Sequence, residues 1–163
     1  MGLLTLSVSS QLYAQTVIGP GASGGITVTS GTTSVVGGTT IAGGGTAVSM
    51  SAGALNIDSS AGPSPGAIAI NATAFNAFSI YATGGTITMP VSAAGISMST
   101  AGAAAAALWT QNTGTSFVSS GGLTLRTTGG YGIVNGLPVG SYGAVASHNS
   151  SISLTDATIA TTG

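Results

Sequence analysis

The sequence predicts an all-β chain wound as a right-handed, single-stranded parallel β-helix, a β-solenoid, and three observations carry that expectation. From Gly25 onward, short segments in which apolar residues alternate with Ser, Thr or Ala recur every ~8–12 residues, each closed by Gly or Asn. Gly, Ser and Thr supply 28, 23 and 24 of the 163 residues, whereas Lys and Glu are absent. One strand–corner–strand unit returns at three places between residues 80 and 153, as the coils of a stacked repeat do.

Composition bounds the class first. The 36 Leu, Ile, Val and Phe residues are enough to build a core, and a net charge of −1 set by Asp58, Arg126 and Asp156 alone is the reverse of a disordered balance. Without Lys or Glu, the usual residues of exposed helices are missing. A surface of Thr, Ser, Asn and Gly offers little electrostatic steering. It also excludes nucleic acid as a partner, because phosphates need clustered Lys and Arg. With no cysteine, there is neither a disulfide framework nor a thiolate metal site.

The N-terminal residues 1–14 read as a truncated export signal. An apolar run, Leu3-Leu4-Thr5-Leu6-Ser7-Val8, is followed by Leu12-Tyr13-Ala14-Gln15, which places cleavage after Ala14, although no Lys or Arg precedes the run and Leu12 is large for its position. Residues 15–163 are then the solenoid. No later run reaches the ~18 apolar residues of a membrane helix.

The clearest strands are residues 26–29, 54–57, 67–70, 86–89, 123–126 and 151–154. Side chains alternate faces along a strand, so each has one apolar and one hydroxyl-rich face. Residues 80–88 are echoed by 144–153 and more loosely by 108–117, while the pair Tyr-Gly recurs at 131–132 and 142–143. The period drifts across roughly 20–35 residues, as when corners accept insertions. Stacking like over like puts Ile, Val and Ala in the lumen, Thr and Ser ladders outside, and Gly and Asn at positive-φ corners. A sandwich is the competing architecture. Residues 101–107 hold five consecutive alanines, which favour helix intrinsically. They are placed in the solenoid because Thr100 and Gly102 precede them and the strand pattern resumes at Trp109.

Motifs that carry chemistry are sparse. Gly19-Pro20-Gly21-Ala22-Ser23-Gly24 matches a dinucleotide fingerprint but lacks the strand, helix and acidic residue that make it work. Gly21-Ala22-Ser23-Gly24-Gly25 matches a nucleophile elbow without the acid and His in order after it. His148, the sole histidine, falls at a predicted turn and builds no zinc site alone. Asp58 and Asp156 are the one conceivable glycosidase pair. Asn71-Ala72-Thr73 and Asn149-Ser150-Ser151 are sequons by pattern only. Thr27-Val28-Thr29 and Thr86-Ile87-Thr88 resemble the threonine rows of ice-binding solenoids, but only in scattered copies rather than a regular array. Tyr81, Trp109, Phe117, Tyr131 and Tyr142 are candidates for a binding strip, with core or corner packing the commoner fate. No catalytic, cofactor-binding or metal residue is expected.

Residues 142–163, running from Tyr142-Gly143 through Ser151-Ile152-Ser153-Leu154-Thr155-Asp156 to Gly163, resemble the passenger repeats of pertactin-like autotransporters. The resemblance is good over 121–163, moderate over 66–120 and compositional over 15–65. It implies a secreted right-handed β-helix delivered by a C-terminal outer-membrane β-barrel and displayed at the surface of a Gram-negative bacterium, or released, as an adhesin or virulence factor. The expectation is therefore a non-enzymatic passenger fragment, incomplete at its C-terminal end, adhesive or structural, whose partners are host or neighbouring-cell surface ligands. The alternatives are a polysaccharide-active β-helix enzyme and an ice-binding solenoid.

Overall fold

The computed structural model describes residues 15–90 and 95–162, so the expected signal peptide at 1–14 lies outside the described residues. The chain runs as successive coils of three strands. The first is β1 (Gln15–Ile18), β2 (Gly21–Ser23) and β3 (Ile26–Val28), and the second is β4 (Thr32–Val36), β5 (Thr39–Gly43) and β6 (Val48–Met50). The third is β7 (Ala54–Asp58), β8 (Ile68–Ala72) and β9 (Phe78–Ala82), and the fourth is β10 (Thr86–Met89), β11 (Ile96–Thr100) and β12 (Ala106–Gln111). The fifth holds β13 (Ser116–Ser119) and β14 (Leu123–Thr127), an inserted hairpin of β15 (Gly132–Val134) and β16 (Leu137–Val139), and β17 (Tyr142–Ser147). Then come β18 (Ser151–Leu154) and β19 (Ala157–Thr161).

Equivalent strands stack into three sheets, in the order β1-β4-β7-β10-β13-β18, β2-β5-β8-β11-β14-β19 and β3-β6-β9-β12-β17. Every ladder in these sheets is parallel. The fold is a parallel β-solenoid, and no helix occurs among the described residues. Gln15 pairs with Thr32, Thr32 with Ala54, Ala54 with Thr86, Thr86 with Ser116 and Ser116 with Ser151, so the coils advance by 17, 22, 32, 30 and 35 residues. The strands keep register while the corners absorb the difference.

Inside the coils, like lies over like. Thr33, Leu55, Ile87, Phe117 and Ile152 form one inward column of the first sheet. Ile41, Ile70, Met98, Leu125 and Ile159 form one in the second. Val48, Ile80, Leu108 and Ala144 form one in the third. Leu55, Ile70, Ile80, Ile87, Met98, Leu108, Phe117 and Leu125 are completely buried, each stabilising by roughly 1.5–3 kcal/mol. The three echoed units seen in the sequence coincide with this register: Ile80, Leu108 and Ala144 are partners, and so are Ile87, Phe117 and Ile152.

The alanine run is strand and corner. Ala104 takes a left-handed conformation (φ 53°), and Ala106 and Ala107 open β12, fully packed. Helix propensity loses because Gly102 stands directly on the coil below, where a Cβ would overlap the carbonyl oxygen of Ala74. Small residues are what let these corners stack. Asn76, Asn112 and Asn149 occupy left-handed corner positions, as do His148 and Asp156.

Outward ladders join neighbouring coils. Thr88 Oγ1 donates to Asn56 Oδ1 at 2.6 Å, and Ser99 Oγ donates to Asn71 Oδ1 at 2.7 Å. Each donor is the register partner of its acceptor. Hydroxyls also point inward, contrary to the expectation that they line only the outside. Thr39 Oγ1 reaches the carbonyl oxygens of Val36 and Gly19, both at 2.7 Å, and Ser79 Oγ donates to Ser99 O at 2.7 Å. Thr100, Thr127 and Ser119 bury hydroxyls that have no hydrogen-bond partner among the described residues.

Candidate binding surface

The residues nominated for chemistry are kept apart. Asp58 ends β7, where its Oδ1 accepts from the Ser60 amide at 2.9 Å and the Ser60 hydroxyl at 2.6 Å. Asp156 occupies the corner between β18 and β19, three rungs further along the stack. At 4.7–4.9 Å per rung the two carboxyls are about 14 Å apart along the axis, beyond the ~5–9.5 Å of a glycosidase pair. Arg126 projects from the outer face of β14, and His148 is exposed in the turn before β18. No three His, Cys, Asp or Glu residues converge among the described residues. The glycine fingerprint at 19–24 spans a corner and β2. Thr27 lies in the third sheet and Thr86 and Thr88 in the first, so the two threonine rows share no face. A groove of about 470 Å³ beside the first sheet is lined by Asn56, Asp58 and Thr88, but its single carboxylate is the one already engaged by Ser60.

The aromatic residues divide. Phe117 is core. Tyr81 and Trp109, register partners on the outer face of the third sheet, gather with Phe78. Phe78 stacks on Tyr81 with ring centroids 5.1 Å apart and meets Trp109 edge-on at 5.5 Å.

Tyr131 belongs to a feature the strand pattern does not announce, the hairpin inserted between β14 and β17. Val134 pairs with Leu137 across the two-residue turn Asn135-Gly136, whose φ values of 51° and 79° are those of a type I′ turn. The sequence signal is Val-Asn-Gly-Leu, the strongest short-range mark of a hairpin. In its light, Tyr131-Gly132 and Tyr142-Gly143 are not equivalent positions of a repeat. The first leads into the insertion, and the second begins β17.

The hairpin base is fixed to the stack. Ala104 N donates to Gly130 O at 3.1 Å, Tyr142 N to Ala105 O at 2.9 Å and Ser141 Oγ to Gly130 O at 2.8 Å. Gly132 lies on the ring of Phe75 from two coils below, where a Cβ would overlap the ring. The remainder faces water: Tyr131 is 74% exposed, Leu137 68%, Ile133 56% and Phe75 56%. They are spread over both faces of the hairpin: Leu137, paired with Val134, shares the face of Gly132 that meets Phe75, and Ile133, paired with Pro138, is on the other. A cleft of about 570 Å³ lies between the hairpin base and Thr161-Thr162. No charged residue belongs to this group. No protein-family model, curated protein or solved structure matches the chain.

Proposed function

We propose that the chain is a non-enzymatic solenoid displayed on a bacterial surface or released from it, adhesive or structural in the manner of the autotransporter passengers it resembles, and that the hairpin corner is its contact surface. The observation that carries this reading is the exposure of Tyr131, Ile133 and Leu137 on the hairpin and of Phe75 against its base, large apolar side chains held in water by a stitched base. Apolar side chains left in water cost solubility, and several of them gathered on one projecting element mark it as an interaction site. The separation of Asp58 from Asp156 favours contact over catalysis.

The test is retention of epithelial and bacterial cells on beads coated with the purified chain. The double variant Ile133→Ser, Leu137→Ser should retain several-fold fewer cells. Retention by the parent should persist in 0.5 M NaCl, because apolar contacts are not screened. Equal retention by the variant refutes the contact surface. New reducing ends released from a polysaccharide refute the non-enzymatic reading.

A further inference from the structure

The outer face of the third sheet carries a second feature, independent of the hairpin. Tyr81 is the register partner of Trp109, yet its hydroxyl reaches past it to Gln111 Oε1 at 2.9 Å, two residues further along the next strand. Trp109 repeats the geometry one coil higher: its register partner is Val145, and its Nε1 donates to Ser147 Oγ at 3.3 Å, again two residues on. A ring whose tip is held one coil up and two residues along lies across the sheet instead of standing off it. Phe78 braces both rings, and all three are half-buried, so each keeps part of its surface in water.

Polar groups border these rings. The Tyr81 bond occupies the Gln111 oxygen and leaves the Gln111 amide nitrogen, with two N–H donors, unpartnered among the described residues. Asn112 donates its Nδ2 to Thr83 O at 3.0 Å and keeps its side-chain oxygen as an acceptor. None of β3, β6, β9, β12 and β17 contains a charged residue, Asp58 and Arg126 being in the other two sheets and Asp156 at the corner between them.

From this we infer that the Phe78–Tyr81–Trp109 cluster binds a neutral oligosaccharide. A pyranose ring presents a face of C–H groups that rests on an aromatic ring and a rim of hydroxyls that both donate and accept. Partly exposed aromatic rings edged by an amide donor and an amide acceptor are the complement of that pattern. The absence of charge selects an uncharged sugar, since an acidic glycan would meet no cation here. Rings held by hydrogen bonds before binding lose little freedom on contact.

Trp109 is the only tryptophan, so its emission reports on this site alone. The experiment titrates the chain with cellohexaose, chitohexaose and mannohexaose, with hexagalacturonate as the acidic comparison. A saturable change with at least one neutral hexamer is expected, and binding about tenfold weaker in Tyr81→Ala. Gln111→Ala, which keeps all three rings in the sequence but removes the amide donor and the Tyr81 tether, should also weaken binding and guards against a folding defect, checked by circular dichroism. No saturable change with any neutral hexamer overturns the inference. So does binding of hexagalacturonate as tight as the best neutral sugar, or parental affinity in folded Tyr81→Ala and Gln111→Ala. Loss of cell retention in the hairpin variant with sugar binding intact would separate the two surfaces.

Discussion

Thr100 and Thr127 are register partners in the second sheet, on the inward column that continues from Ala72 to Thr161, and both Oγ1 atoms are buried without a partner among the described residues. A desolvated hydroxyl that finds no partner costs roughly 1–3 kcal/mol. Valine replaces the hydroxyl by a methyl of similar size and keeps the β-branch that suits a strand. Each of Thr100→Val and Thr127→Val should therefore stabilise by about 1 kcal/mol, and the pair by about 2 kcal/mol. In a chain of this length that raises Tm by roughly 2–4 °C per kcal/mol. The assay is urea unfolding followed by circular dichroism and Trp109 emission, with the midpoint rising and the slope unchanged. Thr110→Val supplies the opposite sign: Thr110 is as deeply buried, but its hydroxyl is 2.9 Å from the Ser150 hydroxyl, so its removal should cost about 1 kcal/mol. Valine variants at 100 and 127 less stable than the parent would refute the reasoning, as would a gain at 110.

Gly102→Ala should lose at least about 2 kcal/mol because its Cβ has nowhere to go but into the Ala74 carbonyl. Gly44→Ala, with open space at its Cβ, should stay within about 0.5 kcal/mol of the parent in the same urea experiment. Phe117→Ala empties the centre of the Leu55–Ile87–Phe117–Ile152 column and should cost about 3–5 kcal/mol, a loss below 1 kcal/mol showing that the ring is not core.

The solenoid is legible in the sequence where strands repeat with their corners. Residues 80–88, 108–117 and 144–153 keep register because parallel stacking forces equivalent side chains into one column, and that constraint survives corner insertions. The alanine run reads correctly only when Gly102 is weighed against helix propensity, since a stacked corner needs a residue without a Cβ. The hairpin is harder to see. Asn135-Gly136 is a strong turn signal, but corners in this chain also end in Asn or Gly, and period-two strands flank both kinds of turn. The inward Thr100 and Thr127 are masked for the same reason: alternation places Thr on both faces, and only the register shows which way each points. Tyr81, Trp109 and Phe117 look alike along the chain, yet the first two lie on an outer face and the third fills the core. That division follows from odd and even positions relative to each strand, which local sequence specifies only once strand boundaries are known.

Engineered cysteines probe the parallel register of the coils directly, because the chain has none of its own. Ser97 and Thr124 are outward-facing register partners on β11 and β14. Parallel neighbours at 4.7–4.9 Å fall within the ~4.4–6.8 Å Cα separation that a disulfide spans. Ser97→Cys with Thr124→Cys should oxidise to a bond seen by mass spectrometry. Ser99→Cys with Thr124→Cys, two residues out of register and about 8 Å apart, should stay reduced. A bond in the second pair and none in the first would contradict the stacked coils.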